Sequence, residues 1–131
     1  MSDSTVPEFF ARFPVRAVRS EALDSALAEP GAPPVTVLFL WGLNCPNCDA
    51  AKRAILLSPD RFRWPAVRWL HANVYDDPEM GNRFGLHGVP AFFVFRGSRR
   101  MGRITGWPGA GAFVRAVEEQ AAQAAAPSPS A

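Results

Sequence analysis

The spacing of apolar residues along this chain switches between the period of a strand and that of a helix. PVTVLFLWG, residues 34–42, is β-branched and apolar with almost no polar position, which predicts a central strand covered on both faces. AVRWLHANV, 66–74, has the alternating character of a second strand, and PVRAV, 14–18, that of a shorter one. PAFFVFRGSRRMGRITG reads as two strands, 91–96 and about 100–105, joined across Gly97 and Ser98 as an antiparallel hairpin. Helical signals lie between and after these runs. Ser20 stands as an N-cap before Glu21, Leu23, Ala26 and Leu27, and Pro30 and Gly31 close that segment. DAAKRAILL, 49–57, offers good helix formers and an apolar stripe through Ala51, Ala54, Ile55 and Leu56. DDPEMGNRFG, 76–85, is a short helix with Pro78 near its start and Gly85 at its end. A last helix, about 109–124, follows Pro108 and carries Phe113, Val114 and Val117 on one side.

Residues 1–13 mix proline, phenylalanine and charge, and are expected to form an N-terminal arm, a short helix laying Phe9, Phe10 and Phe13 on the body. At the other end, 126–131 are low-complexity and expected to be disordered. That leaves one domain over 14–125 in the order β, α, β, α, β, α, β, β, α, with no internal repeat. This order predicts an α/β fold: a mixed sheet of four or five strands with helices on both faces, parallel where helices cross over and antiparallel at the hairpin.

Composition adds limits. With 131 residues, 48% hydrophobic and 20% charged, the chain suits one compact core. Thirteen arginines and one lysine oppose twelve acids, for a net charge of +2 scattered in both signs, so no nucleic-acid partner is expected. Arg96, Arg99, Arg100 and Arg103 form a local basic excess, read as a solvated hairpin turn in preference to an anion-binding patch. The first residues carry Asp3 and Glu8 and lack an apolar run behind a basic start, so no secretory signal is expected. No stretch approaches the roughly 18 apolar residues of a membrane span. These features lead us to expect a cytoplasmic location, where structural disulfides are rare.

Both cysteines, Cys45 and Cys48, lie in NCPNC, where the buried strand hands over to a helix. As a staple the pair is weak, since closing a ring of about four residues contributes only about 2 kcal/mol. As a metal clip it needs partners. His71 and His87 formally complete a Cys₂His₂ set, but His87 sits on a loop two residues before Val89 and reads as an ordinary polar loop residue. An iron–sulfur cluster shared between two chains is a further alternative, as is an adaptor that binds without using its thiols. As a reactive centre the pair has a physical rationale. Free N–H groups and the peptide dipoles at a helix start favour a thiolate at Cys45. Pro46 suits the first helical position because no donor is needed there. Cys48, one turn on, is near enough to close a disulfide. Such a pair supports a two-step exchange in which Cys45 attacks a partner disulfide and Cys48 releases the mixed disulfide.

FLWGLNCPNC followed by a helix, then GLHGVPAFFVFRG, then ITGW, resembles the thioredoxin family, over about 15–125. The resemblance implies a thioredoxin fold and a thiol-disulfide oxidoreductase, a reductase given the expected compartment. Cys45 would be nucleophile and Cys48 resolver. The partners implied are protein disulfides and an unidentified reductant, acting on a monomer without an organic cofactor or metal. It also implies a cis bond before Pro90, substrate pairing along Val89, and docking at Trp41, Asn44 and Gly106. Departures are equally specific. Where thioredoxins place a buried Asp and a facing Lys, this chain has Phe39 and His71. Phe39 completes an apolar core in the simpler reading, with His71 a satisfied strand histidine; in the sharper one His71 relays protons for Cys48. Asn44 replaces a tryptophan common before the first cysteine, and Pro46-Asn47 matches none of the familiar pairs between the cysteines, so substrate choice and redox poise are expected to differ.

Overall fold

The computed structural model describes residues 6–125. The expected 126–131 tail and the first five residues of the expected arm lie outside the described residues.

Five strands form one sheet: β1 (Val15–Ala17), β2 (Val35–Trp41), β3 (Val67–Asn73), β4 (Ala91–Arg96) and β5 (Arg99–Thr105). Their spatial order is β1-β3-β2-β4-β5, parallel from β1 through β3 to β2 and antiparallel from β2 through β4 to β5. The helices are α1 (Glu8–Arg12), α2 (Leu23–Leu27), α3 (Pro46–Leu57), α4 (Pro78–Phe84) and α5 (Ala110–Ala125), with short 3₁₀ turns at Ser20–Ala22 and Pro59–Phe62. The β2 run is central and buried at every position, as its apolar sequence requires.

Strand alternation divides the interior into two layers. Val35, Val37, Phe39 and Trp41 join Phe92, Val94 and Ile104 on the face covered by α1, α3 and α5. Leu38, Leu40, Phe93 and Phe95 point the other way, toward Leu23 and Leu27 of α2 and Met80 and Phe84 of α4. The first layer is largely aromatic. Phe39 stacks on Phe92 at 4.9 Å between ring centroids, and Phe113 anchors α5 against Phe92 at 4.7 Å and Trp107 at 5.3 Å. Phe39 thus completes an apolar core. Val6, Phe9 and Phe13 belong to that core, so α1 is a covering element of the domain and Phe10 its partly buried outer face.

Two local expectations need correction. Ser20 does not cap α2; its N–H and hydroxyl donate to the Asp77 carboxylate at 2.7 and 2.8 Å, because a nearly buried carboxylate takes both donors. The inward face of α3 is Cys48, Ala51, Lys52 and Ile55, whereas Ala54 and Leu56 are only half-buried. Around the hairpin, Arg96, Arg99, Arg100 and Arg103 all stand outside the core, with Arg100 and Arg103 over the Phe93 ring at 5.2 and 5.4 Å.

Candidate active site at the start of helix α3

Buried strand β2 ends at Trp41, and the chain must turn sharply to begin α3 five residues later. Asn44 makes that turn with φ of 51°, a left-handed conformation that asparagine tolerates better than most residues. Backbone geometry is therefore one reason for an asparagine beside the first cysteine. Cys45 then occupies the N-cap of α3 in extended conformation, and Pro46 opens the helix. The Cys45 Sγ accepts the Cys48 backbone N–H at 3.1 Å, so a donor left over at the helix start is aimed at the sulfur. The same interaction favours a thiolate when the pair is reduced.

Cys45 and Cys48 are joined in a disulfide, with Cα atoms 5.2 Å apart. Cys45 keeps 9% of its surface exposed and Cys48 none, so Cys45 is the more accessible sulfur of the pair. The Val89–Pro90 peptide bond is cis, and the Val89 carbonyl oxygen lies 3.5 Å from the Cys45 Sγ. Pro90 is buried, its carbonyl accepting the Gly106 N–H at 2.8 Å, which ties this loop to the end of β5.

A groove of about 560 Å³ opens beside Cys45, bounded by Asn44, Pro46 and Asn47 on one side and by Val89, His87 and Tyr75 on the other. It carries no Asp, Glu, Lys or Arg in its lining. Tyr75 is 59% exposed and leans on the backbone of Gly42, where an added Cβ would stand 3.0 Å from its ring and 3.3 Å from Val89. Gly42 thus leaves room for an aromatic wall that sequence reading did not find. The signal was a lone tyrosine after a strand, which has too many ordinary uses to single out.

Trp41, expected on the docking rim, is elsewhere. It is 5% exposed and outside the groove lining; its indole N–H donates to His71 Nδ1 at 3.1 Å. Phe10 packs on the same imidazole at 4.4 Å between rings. Burial, helped by the charge of Lys52, pushes the His71 pKa down to about 4, so the ring is neutral near pH 7 with its Nδ1 already engaged. Sequence reading also missed Lys52 itself, whose side chain is fully buried and whose Nζ lies 4.0 Å from the Trp41 ring centroid. Among the described residues no three His, Cys, Asp or Glu side chains gather as a metal-ligand set. No described helix is long and apolar enough to cross a membrane.

No protein-family model matches the sequence, and no curated protein matches it. Solved structures do. The chain superposes on a mutant thioredoxin from Halobacterium salinarum NRC-1 with a TM-score of 0.66 at 14% identity, covering 82% of this chain and 93% of that one. It superposes on the oxidized form of mitochondrial thioredoxin 3 from Saccharomyces cerevisiae with a TM-score of 0.69 at 12% identity, covering 85% and 97%. The chain therefore has the thioredoxin fold.

Proposed function

We propose that this thioredoxin-fold protein is a thiol-disulfide oxidoreductase that reduces disulfides in other proteins. The observation that carries the proposal is the placement of Cys45: at a helix N-cap, the only accessible sulfur of the pair, and facing a groove beside Val89–Pro90. In the reduced protein the Cys45 thiolate attacks one sulfur of a substrate disulfide, forming a mixed disulfide and releasing the other sulfur as a thiolate. Cys48, as thiolate, then attacks Cys45 Sγ. The Cys45–substrate bond breaks, its electron pair leaves with the substrate sulfur, and the Cys45–Cys48 disulfide forms. Two electrons have passed to the substrate, whose sulfurs take up protons. A dithiol reductant restores the pair by the reverse exchange.

Support for protein substrates comes from the groove, which suits an uncharged extended segment along Val89 and Tyr75 and offers no cation to a small anionic disulfide. In our reading Val89 and Pro90 form the docking edge, with Asn44, Pro46 and Asn47 along the opposite rim. Direction follows from compartment. In a cytoplasm held reducing by thiols the pair is recharged and runs as a reductase, and we assign the protein there as a monomer.

The test is electron transfer itself. Reduced protein mixed with a disulfide-bonded protein is expected to yield free substrate thiols in a ratio of two per Cys45–Cys48 disulfide formed, read by alkylation and mass. Cys45→Ser is expected to lower the rate by at least about a thousandfold, the scale on which losing a covalent nucleophile acts. Substrate left oxidised by the unaltered protein would overturn the proposal.

A further inference from the structure

Lys52 is the only lysine in the sequence, against thirteen arginines, and it is placed where a cation is expensive. Its side chain has no exposed surface. The Nζ lies 4.0 Å from the centroid of the Trp41 ring and 5.0 Å from that of Phe10, with Asp49 Oδ1 at 3.8 Å. On α3, Lys52 follows Cys48 by four residues, so the two share one face of the helix, with Cβ atoms roughly 5–6 Å apart. Both are fully buried in the layer between α3 and the sheet.

We propose that Lys52 is a positioning residue for the second exchange step: its buried ammonium, held over Trp41 and Phe10, stabilises the Cys48 thiolate that attacks Cys45 in the mixed disulfide. This rests on the oxidoreductase reading and extends it to the residue that readies the resolving sulfur. Cys48 needs such help, because a fully buried thiol without a nearby cation holds its proton more tightly than one in water. The proton it loses passes to solvent, and the departing substrate sulfur takes one up, so the step balances. Among the described residues, Asp49 on its own helix favours the charged form of Lys52, and Lys52 in turn disfavours a proton on His71 of β3. Burial pushes the Lys52 pKa down to about 8 while Asp49 raises it, so near pH 7 most of the protein carries the ammonium. His71, neutral and accepting from Trp41, holds that indole in place beneath the cation.

The thiolate titration of Cys48 in a Cys45→Ser background tests this without any substrate. Adding Lys52→Met is expected to raise the Cys48 pKa by about one unit or more, and so to cut the thiolate fraction about tenfold at pH 7. In the Cys45-containing protein, Lys52→Met is expected to slow release of a preformed mixed disulfide about tenfold at pH 7, by a factor that shrinks as pH rises. Lys52→Arg, which keeps the charge, is expected to recover part of both. Should the methionine variant not fold, Lys52→Gln makes the same two measurements. An unchanged Cys48 pKa with an unchanged release rate overturns the proposal. If the unaltered protein forms no mixed disulfide at all, the oxidoreductase reading fails, while the titration still decides what Lys52 does to Cys48.

Discussion

Cys48→Ser is expected to convert the protein into a trap: exposed to disulfide-bonded proteins, it accumulates mixed disulfides through Cys45 that persist until external thiol is added. Cys45→Ser is expected to form essentially none. The asymmetry follows from accessibility. Cys45 retains exposed surface at the groove whereas Cys48 retains none, so a substrate disulfide reaches only the first sulfur. Electrostatics act in the same direction, because the Cys48 N–H and the start of α3 point at the Cys45 Sγ. With Cys48 present the mixed disulfide is expected to be short-lived, since Cys48 lies within disulfide reach of Cys45, at a Cα separation of 5.2 Å. Non-reducing electrophoresis followed by mass identification of the linked cysteine reads the result. Equal trapping by both variants would remove the assignment of roles.

The second large effect concerns acid stability. His71 is held neutral, its pKa pushed down to about 4 by burial and by Lys52, whereas an unfolded histidine titrates near its ordinary 6.5. Between these values the unfolded chain binds a proton that the folded protein does not. Unfolding therefore becomes easier as pH falls: the contribution is fully present above about 6.5 and gone below about 4, up to roughly 3 kcal/mol in all. The carboxylates whose pKa is lowered, Asp24, Glu29 and Asp77, ordinarily titrate at 3.8, 4.5 and 3.8, so they act mainly below the upper part of this window. Urea unfolding at several pH values from 7 to 5 is expected to show a steady loss of stability. His71→Gln, whose side-chain oxygen can still accept from Trp41 but cannot titrate, is expected to flatten it. A slope retained in that variant would place the titration elsewhere.

Much of the fold was legible because its strands and helices differ in period. The run Val35–Trp41 is apolar on both faces because both faces are covered, and the hairpin is marked by Gly97, which adopts φ of 55° at the turn. The cysteine pair was legible for a similar reason: Pro46 and a helix-forming sequence placed it at a helix start. Side-chain partners were harder to foresee. Trp41 was placed on the docking rim by the family resemblance, yet strand alternation turns it into the layer beneath α1 and α3, where His71 accepts its N–H. Lys52 was not singled out within the helix-forming run 49–57. Its position three residues before Ile55 and four after Cys48 put it on the apolar stripe, a conflict between local chemistry and pattern that often marks a functional residue. Ser20 was a plausible cap, and only the fold brings Asp77 to it across 57 residues.

The reactivity of Cys45 is tested most directly by the rate at which iodoacetamide alkylates the reduced protein as a function of pH. We expect Cys45 to react first, following a thiolate that ionises below the ordinary cysteine value of about 8.5, with Cys48 protected. If neither thiol reacts faster at pH 7 than an ordinary cysteine, the start of α3 is not a reactive centre and the protein is not an oxidoreductase of this kind.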